Sequence, residues 1–353
     1  MDKKFFWTKV VGIWILLVLL YSIISNHFPP VKINSKGFSL QKKWSTVMSD
    51  KVLELSVSGN GIIFALSPYS LNAINARTGG FLWKTYLVNQ ANSHPAMSEY
   101  GRVYISDNKS LYALNQNNGE IIWQEKLLLS DGAVVDVSDK YILFNQIADL
   151  SAYNAKTGDF LWSMPVTKGL VHAYIDNENE TAYIVSDGIH AVEIATGREL
   201  WQTYYEAEGL YENGIMFQSD DSGANAFRLD TKSMIWKSSL VDAVTFSSKL
   251  LLYKDFLIIL NRSYIYVLQK DSGTINWIKP MEFPESPAVI DNTLFVMELF
   301  SGKIHSFDLD TGNETGILQI RLPSAFAAEH QSMIATNDLL VFSNGKTIFA
   351  YGK

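Results

Sequence analysis

Ala73-Ile74-Asn75-Ala76-Arg77-Thr78-Gly79-Gly80-Phe81-Leu82-Trp83 is the stretch whose reading decides the fold, because its pattern returns along the chain at a nearly fixed period. It recurs as Ala113, Asn115, Gly119 and Trp123, as Ala152, Asn154, Thr157, Gly158 and Trp162, and as Ala191, Glu193, Thr196, Gly197 and Trp201. Weaker copies end at Trp236 and, through Gly273, at Trp277. From Trp44 onward the tryptophans follow at intervals of 39, 40, 39, 39, 35 and 41 residues. That period suits a four-stranded propeller blade and is too long for ankyrin or tetratricopeptide units.

Within the second repeat, Arg102-Val-Tyr-Ile-Ser106 and Leu111-Tyr-Ala-Leu-Asn115 are short β-rich runs joined by the polar hairpin Asp107-Asn-Lys-Ser110. Gln116-Asn-Asn-Gly119 then forms a turn with glycine where a positive φ is needed, and Glu120-Ile-Ile-Trp-Gln-Glu125 is the outer strand. An innermost strand near Pro95-Ala-Met97 completes the blade. The same order places inner strands near 133–137, 171–175, 209–212, 244–248, 286–290 and 332–336.

Complete sets end at Trp83, Trp123, Trp162, Trp201, Trp236 and Trp277, and a seventh ends at Gly316, which stands where a tryptophan is expected after Thr311-Gly312. Two further strands, Asp338–Ser343 and Thr347–Tyr351, run to the C-terminus without an outer strand, while an orphan outer strand lies at Phe38–Trp44. The expected fold is therefore all-β: an eight-bladed propeller of four-stranded antiparallel blades over residues 38–353, closed by the N-terminal strand pairing into the last blade. Such closure removes two exposed sheet edges.

Ahead of the repeats, residues 10–25 are free of charge, and with Phe5-Phe6-Trp7 the apolar stretch reaches about 20 residues, long enough to span a bilayer. Lys3, Lys4 and Lys9 would put residues 1–9 in the cytoplasm and the propeller outside it, and residues 26–37, with Pro29-Pro30, read as a short extended linker. The competing reading is a cleaved signal peptide, although no Ala-x-Ala site follows. Either way the expectation is an exported domain, and the uncleaved reading makes it a single-pass membrane protein.

Residues 1–43 carry seven lysines and one acid, whereas the remainder holds 22 basic and 35 acidic side chains and nets −13. Phosphate backbones would repel such a domain, so no nucleic-acid partner is expected. The absence of cysteine excludes disulfides, zinc-thiolate sites, thiol catalysis and lipidation at an N-terminal cysteine.

The motif Ala-x-Asp/Asn-x-x-Thr-Gly-x-x-x-Trp resembles the tryptophan-docking motif of the pyrroloquinoline quinone (PQQ) repeat family, over about residues 38–353. The resemblance implies that Trp44, Trp83, Trp123, Trp162, Trp201, Trp236 and Trp277, with Gly79, Gly119, Gly158, Gly197, Gly273 and Gly312, serve blade packing. The family holds PQQ- and calcium-dependent dehydrogenases as well as non-catalytic members, and the size and blade count are similar to the BamB-like scaffolds. No cofactor and no catalytic residue is expected on that reading, and the chain would be a monomeric propeller binding envelope proteins.

The dehydrogenase alternative would need quinone and calcium. Acidic candidates such as Asp131, Asp136, Asp220, Asp221 and Glu285 occur singly, and no spacing among them converges on a calcium site. A carbohydrate-binding or sensor propeller is a further alternative. His94 and His172 fall at similar points of two repeats, where both could face the axial channel, but no third ligand is evident. His27, His190, His305 and His330 show no such relation. Candidate interface residues are the aromatics Tyr204, Tyr205, Tyr211 and Phe283.

Overall fold

Each recurrence of the motif closes one four-stranded antiparallel sheet, and the computed structural model arranges eight of them in a ring. The structure describes residues 35–98, 101–127, 132–146, 148–166, 172–186, 188–203, 209–220, 223–241, 249–320, 332–336 and 338–353. Blade 1 runs from its inner strand Glu54–Val57 through Ile62–Ser67 and Ser70–Asn75 to the outer strand Phe81–Tyr86. Innermost strands of successive blades touch around the axis. The second strand of each blade is sandwiched between neighbours, which is why Ile62–Ser67 is buried at every position and reads as a continuous apolar run.

The local chemistry of the motif explains its recurrence. Asn75 Oδ1 accepts hydrogen bonds from the backbone N–H groups of Arg77 (3.0 Å) and Thr78 (3.1 Å), and Asn154 and Asp308 do the same in blades 3 and 7. This Asx turn leads to a glycine of positive φ (Gly79, +70°) and then to the outer strand. A bulge one residue before the tryptophan, or before Gly316 in blade 7, breaks the register in every blade, as between Ala73/Trp83 and Ile74/Phe81. Such a bulge re-aims the side chain that follows it.

The tryptophan thereby reaches the next blade. Trp44 Nε1 donates to Ala76 O (2.7 Å), Trp83 to Gln116 O (2.9 Å), Trp123 to Ala155 O (3.2 Å), Trp162 to Ile194 O (2.7 Å), Trp236 to Lys270 O (2.7 Å) and Trp277 to Leu309 O (2.8 Å). Its ring lies flat on the motif glycine of that blade: a Cβ on Gly119 would sit 2.4 Å from the Trp83 ring, and Gly79, Gly158, Gly197, Gly273 and Gly312 face Trp44, Trp123, Trp162, Trp236 and Trp277 in the same way. Burying an indole at about 25 cal/mol per Å² over 150 to 250 Å² contributes on the order of 4–6 kcal/mol per joint. Trp201 is the exception. Its glycine partner is replaced by Lys232, which keeps the positive φ (+52°) and places Nζ over the indole at 4.9 Å.

Closure is as expected. The outer strand of blade 8 is Gln41–Val47, paired with Thr347–Gly352, whose blade is completed by Leu339–Ser343 and Met333–Ala335. The structure adds a feature: at the end of the expected linker, Ser35–Lys36 forms a fifth strand on the outer edge of blade 7, opposite Leu318 and Ile317. Between these two strands the chain crosses Gly316, which occupies the register of a docking tryptophan opposite Ser306. A Cβ on Gly316 would lie 2.4 Å from Phe38 N and 2.5 Å from the Gly37 carbonyl carbon. Phe38 and Leu40 instead fill the joint, packed among Phe295, Met297, Leu318, Leu340, Phe342 and Tyr351. The missing tryptophan is replaced by the N-terminal segment itself.

One expected inner strand is displaced. The inner strand of blade 6 is Lys249–Tyr253, about five residues after the expected position, where Leu250, Leu251 and Leu252 pair with Ile259, Ile258 and Leu257 of Phe256–Leu260. Residues 242–248, the expected membrane helix over 10–25 and most of the linker lie outside the described residues. No helix among the described residues is long and apolar enough to cross a membrane.

Candidate functional site on the loop face

The strand order gives the ring two unlike faces. One, the turn face, carries the tight turns between first and second and between third and fourth strands, including the Asx turns. The other, the loop face, carries the middle hairpins and all blade-to-blade connections. Inner strands start at the loop face, so their first residues surround the channel mouth. Glu54 and Lys249 open the inner strands of blades 1 and 6, and Glu285 is the second residue of blade 7's.

His94, in the connection leading to blade 2, is hydrogen-bonded through Nδ1 to the Glu54 carboxylate. That bond holds the imidazole pKa above its usual value against some desolvation of the largely exposed ring, and the charge of Lys249 opposes the rise. Burial pushes the Glu285 carboxyl up, with Lys249 again the opposing charge. Lys249 is thus within electrostatic reach of both groups, and the mouth is a mixed-charge ring. His172 opens the inner strand of blade 4, as its position in the repeat suggested, but no three His, Asp or Glu side chains among the described residues converge as metal ligands.

The other sequence candidates separate. Asp136 lies at the bulge of blade 3's inner strand, where Oδ2 accepts the N–H of Ile175 (2.7 Å) from blade 4 and Oδ1 that of Val137 (2.8 Å). Burial pushes its carboxyl up to about 6 against these two bonds, so it links blades. His190 and His305 occupy third strands, bonded to Glu199 (3.0 Å) and Glu314 (2.6 Å) at the rim. Tyr211 packs against Tyr174 and Tyr183, with ring centroids 6.0 and 5.6 Å away, and so fills the joint between blades 4 and 5 rather than an open surface. Tyr204, Tyr205, Asp131, Asp221, His27 and His330 lie outside the described residues, as does the side chain of Asp220.

Phe283 is presented to solvent. It lies in the connection from blade 6 to blade 7 with φ +48°, held by its N–H on Arg262 O (2.8 Å) and its carbonyl on Leu299 N–H (3.1 Å). Its ring meets Phe300 edge-on at 5.2 Å, and the two side chains are 44% and 63% exposed. Sequence reasoning found Phe283 but not Phe300, which follows no repeat position. Also unforeseen is a turn-face cleft of about 890 Å³ across blades 2–4, lined by Arg102, Asp139, Lys140, Lys156, Asp176 and Glu180 among others. Arg102 donates to Ala155 O (2.7 Å) and Lys140 pairs with Glu180 (2.9 Å), whereas Asp139 Oδ1 is buried without a hydrogen-bond partner among the described residues.

Ring, docking motif and loop face together define an eight-bladed PQQ-type repeat propeller. A family model described as outer membrane protein assembly factor BamB matches residues 41–182 and 185–353, and the chain belongs to that family. It is 23% identical to the Yersinia pestis protein named outer membrane protein assembly factor BamB over 382 aligned positions, covering 93% of this chain and 90% of that one. The tetrathionate hydrolase of Acidithiobacillus ferrooxidans is 27% identical over 157 residues, 36% of this chain; the match spans only 31% of the hydrolase. Among solved structures, BamB from Moraxella catarrhalis superposes with a TM-score of 0.70 at 15% identity, over 90% of this chain and 98% of that one, a likeness of fold.

Proposed function

We propose that this chain is a non-catalytic, monomeric scaffold of the cell envelope: an extracytoplasmic propeller, tethered by its N-terminal apolar segment, that binds other envelope proteins. The observation that carries the reading is the family match over the whole ring, together with a relative that is similar from end to end and is named as an assembly factor. The apolar run over 10–25 with lysines before it supports the tether and the orientation, with the N-terminus cytoplasmic. Cross-linking of the full chain in its native cells, detergent extraction and identification of what is captured tests this. A reproducible envelope partner supports it, and capture no different from that of an unrelated anchored domain refutes it.

The likeness to a tetrathionate hydrolase favours a second reading, a propeller enzyme. Quinone and calcium are the groups the repeat family implies. The described residues do not fit them, since the docking tryptophans are bonded between blades and no carboxylate cluster is assembled. Quinone absorbance, calcium-dependent dye reduction or tetrathionate hydrolysis by the purified chain would establish this reading over the first.

A further inference from the structure

Among the described residues, exposed apolar side chains on the loop face gather where the N-terminal segment joins the ring, with Val241 in the connection leaving blade 5 as the outlier. Ser35 pairs with Leu318 near the end of the outer strand Glu314–Gln319, and that end lies at the loop face. The chain therefore comes to the ring from the loop side, between blades 7 and 8. Nine residues separate the uncharged run ending at Ser25 from Ser35, a reach of at most about 35 Å when fully extended. On that same sector stand Phe283 and Phe300 of blade 7, Val47 (71% exposed) at the end of blade 8's outer strand, and Tyr69, Tyr86 and Val88 (77% exposed) of blade 1. The turn-face ends of the outer strands carry exposed apolar side chains in blade 1 (Phe81, Leu82) as in blades 2–4 (Ile121, Phe160, Leu200), so it is the loop-face side chains that set the sector of blades 7, 8 and 1 apart from blades 2–4 among the described residues.

We infer that the loop face over blades 7, 8 and 1 rests on the lipid bilayer that holds the N-terminal apolar run, with Phe283, Phe300, Val47 and Val88 in its interfacial layer. The inference rests on the tethered reading of residues 10–25. A short linker from the loop side brings this sector near the membrane, and exposed aromatic and aliphatic tips flanked by polar groups suit the boundary between head groups and acyl chains. Arg262 and Lys346, at the middle hairpins of blades 6 and 8, are placed to meet lipid phosphates. The domain from residue 44 onward nets −13, so the surface it fits is zwitterionic; an anionic leaflet would repel it. The turn face, with its cleft, is left pointing away from the membrane.

The chain has no cysteine, so single substitutions can each carry one fluorophore on the full-length protein. Phe300→Cys and Val88→Cys report the loop face, and Asn118→Cys, in the exposed turn of blade 2, reports the opposite one. In phosphatidylcholine vesicles with spin-labelled head groups in both leaflets, the probes at 300 and 88 are expected to lose most of their fluorescence while that at 118 is unchanged. Equal quenching at all three sites overturns the inference. So does its absence at 300 and 88, which would leave that face to a protein partner. Flotation of the same vesicles separates the two failures: protein left behind refutes the tether itself, whereas floating protein unquenched at 300 and 88 refutes only this orientation.

Discussion

Replacing Gly316 with tryptophan would restore the residue that the repeat calls for, and the structure predicts that the restored motif destabilises the ring. At six of the other joints the indole lies on a glycine of the next blade, Trp201 alone facing Lys232, but here Gly37 and Phe38 already occupy the space, with Phe38 N 2.4 Å from where a Cβ would stand. The obstacle is backbone, so no rotamer change relieves it. Accommodation requires expelling the crossing segment and with it Phe38 and Leu40, which are 9% and 4% exposed. Removing a buried phenylalanine from a core costs about 3–5 kcal/mol, and at about 2 °C per kcal/mol for a domain of this size the melting temperature should fall by about 6–10 °C. Gly316→Ala should show much of the loss, since the first added carbon already collides. Urea unfolding followed by tryptophan fluorescence measures the change. The decisive control is a double-mutant cycle: Phe38→Ala should be costly in the parent and nearly free in Gly316→Trp, because the second variant has already displaced that ring. A Gly316→Trp protein as stable as the parent, or strictly additive losses, would refute the reasoning.

Three further outcomes are expected. Deleting residues 38–47 should lower the melting temperature sharply, since it removes blade 8's outer strand and the bond from Trp44 to Ala76; unchanged stability would refute the closure. Trp162→Phe keeps most of the ring but loses the 2.7 Å bond to Ile194 O, and urea titration should show a loss of about 1–3 kcal/mol. Asp136 has a folded pKa of about 6 against an ordinary 3.8, so the native state retains a proton that the unfolded chain releases. Its contribution to stability is therefore full below about pH 4, falls as pH rises to about 6, and amounts to about 3 kcal/mol in all. Unfolding free energies of the parent and Asp136→Asn should diverge in slope over that window; parallel profiles would contradict the assignment.

The fold was legible because everything that makes one blade is local. The Asx turn, the glycine of positive φ, the bulge and the outer-strand tryptophan fall within eleven residues, and their period counts the blades. The ragged ends told of closure for the same reason, since three strands without a fourth and a fourth without three complete each other. Blade-to-blade joints are less local. Nothing in the sequence near Gly316 shows that Phe38, some 280 residues earlier, fills its site, or that Lys232 stands over Trp201 where a glycine lies beneath the other rings.

The candidate site was the least legible part. Tyr211 and Phe283 are both aromatic residues outside the motif, yet one is spent in the joint between blades 4 and 5 and the other is held in solvent by two backbone bonds. Glu54, His94, Lys249 and Glu285 meet at the channel mouth only because the ring closes. Sequence alone therefore determined the architecture, because strand period and turn chemistry act between near neighbours along the chain. The tertiary structure alone decided which side chains meet across blades and which aromatics outside the motif are left in solvent, because those contacts join residues that no repeat relates.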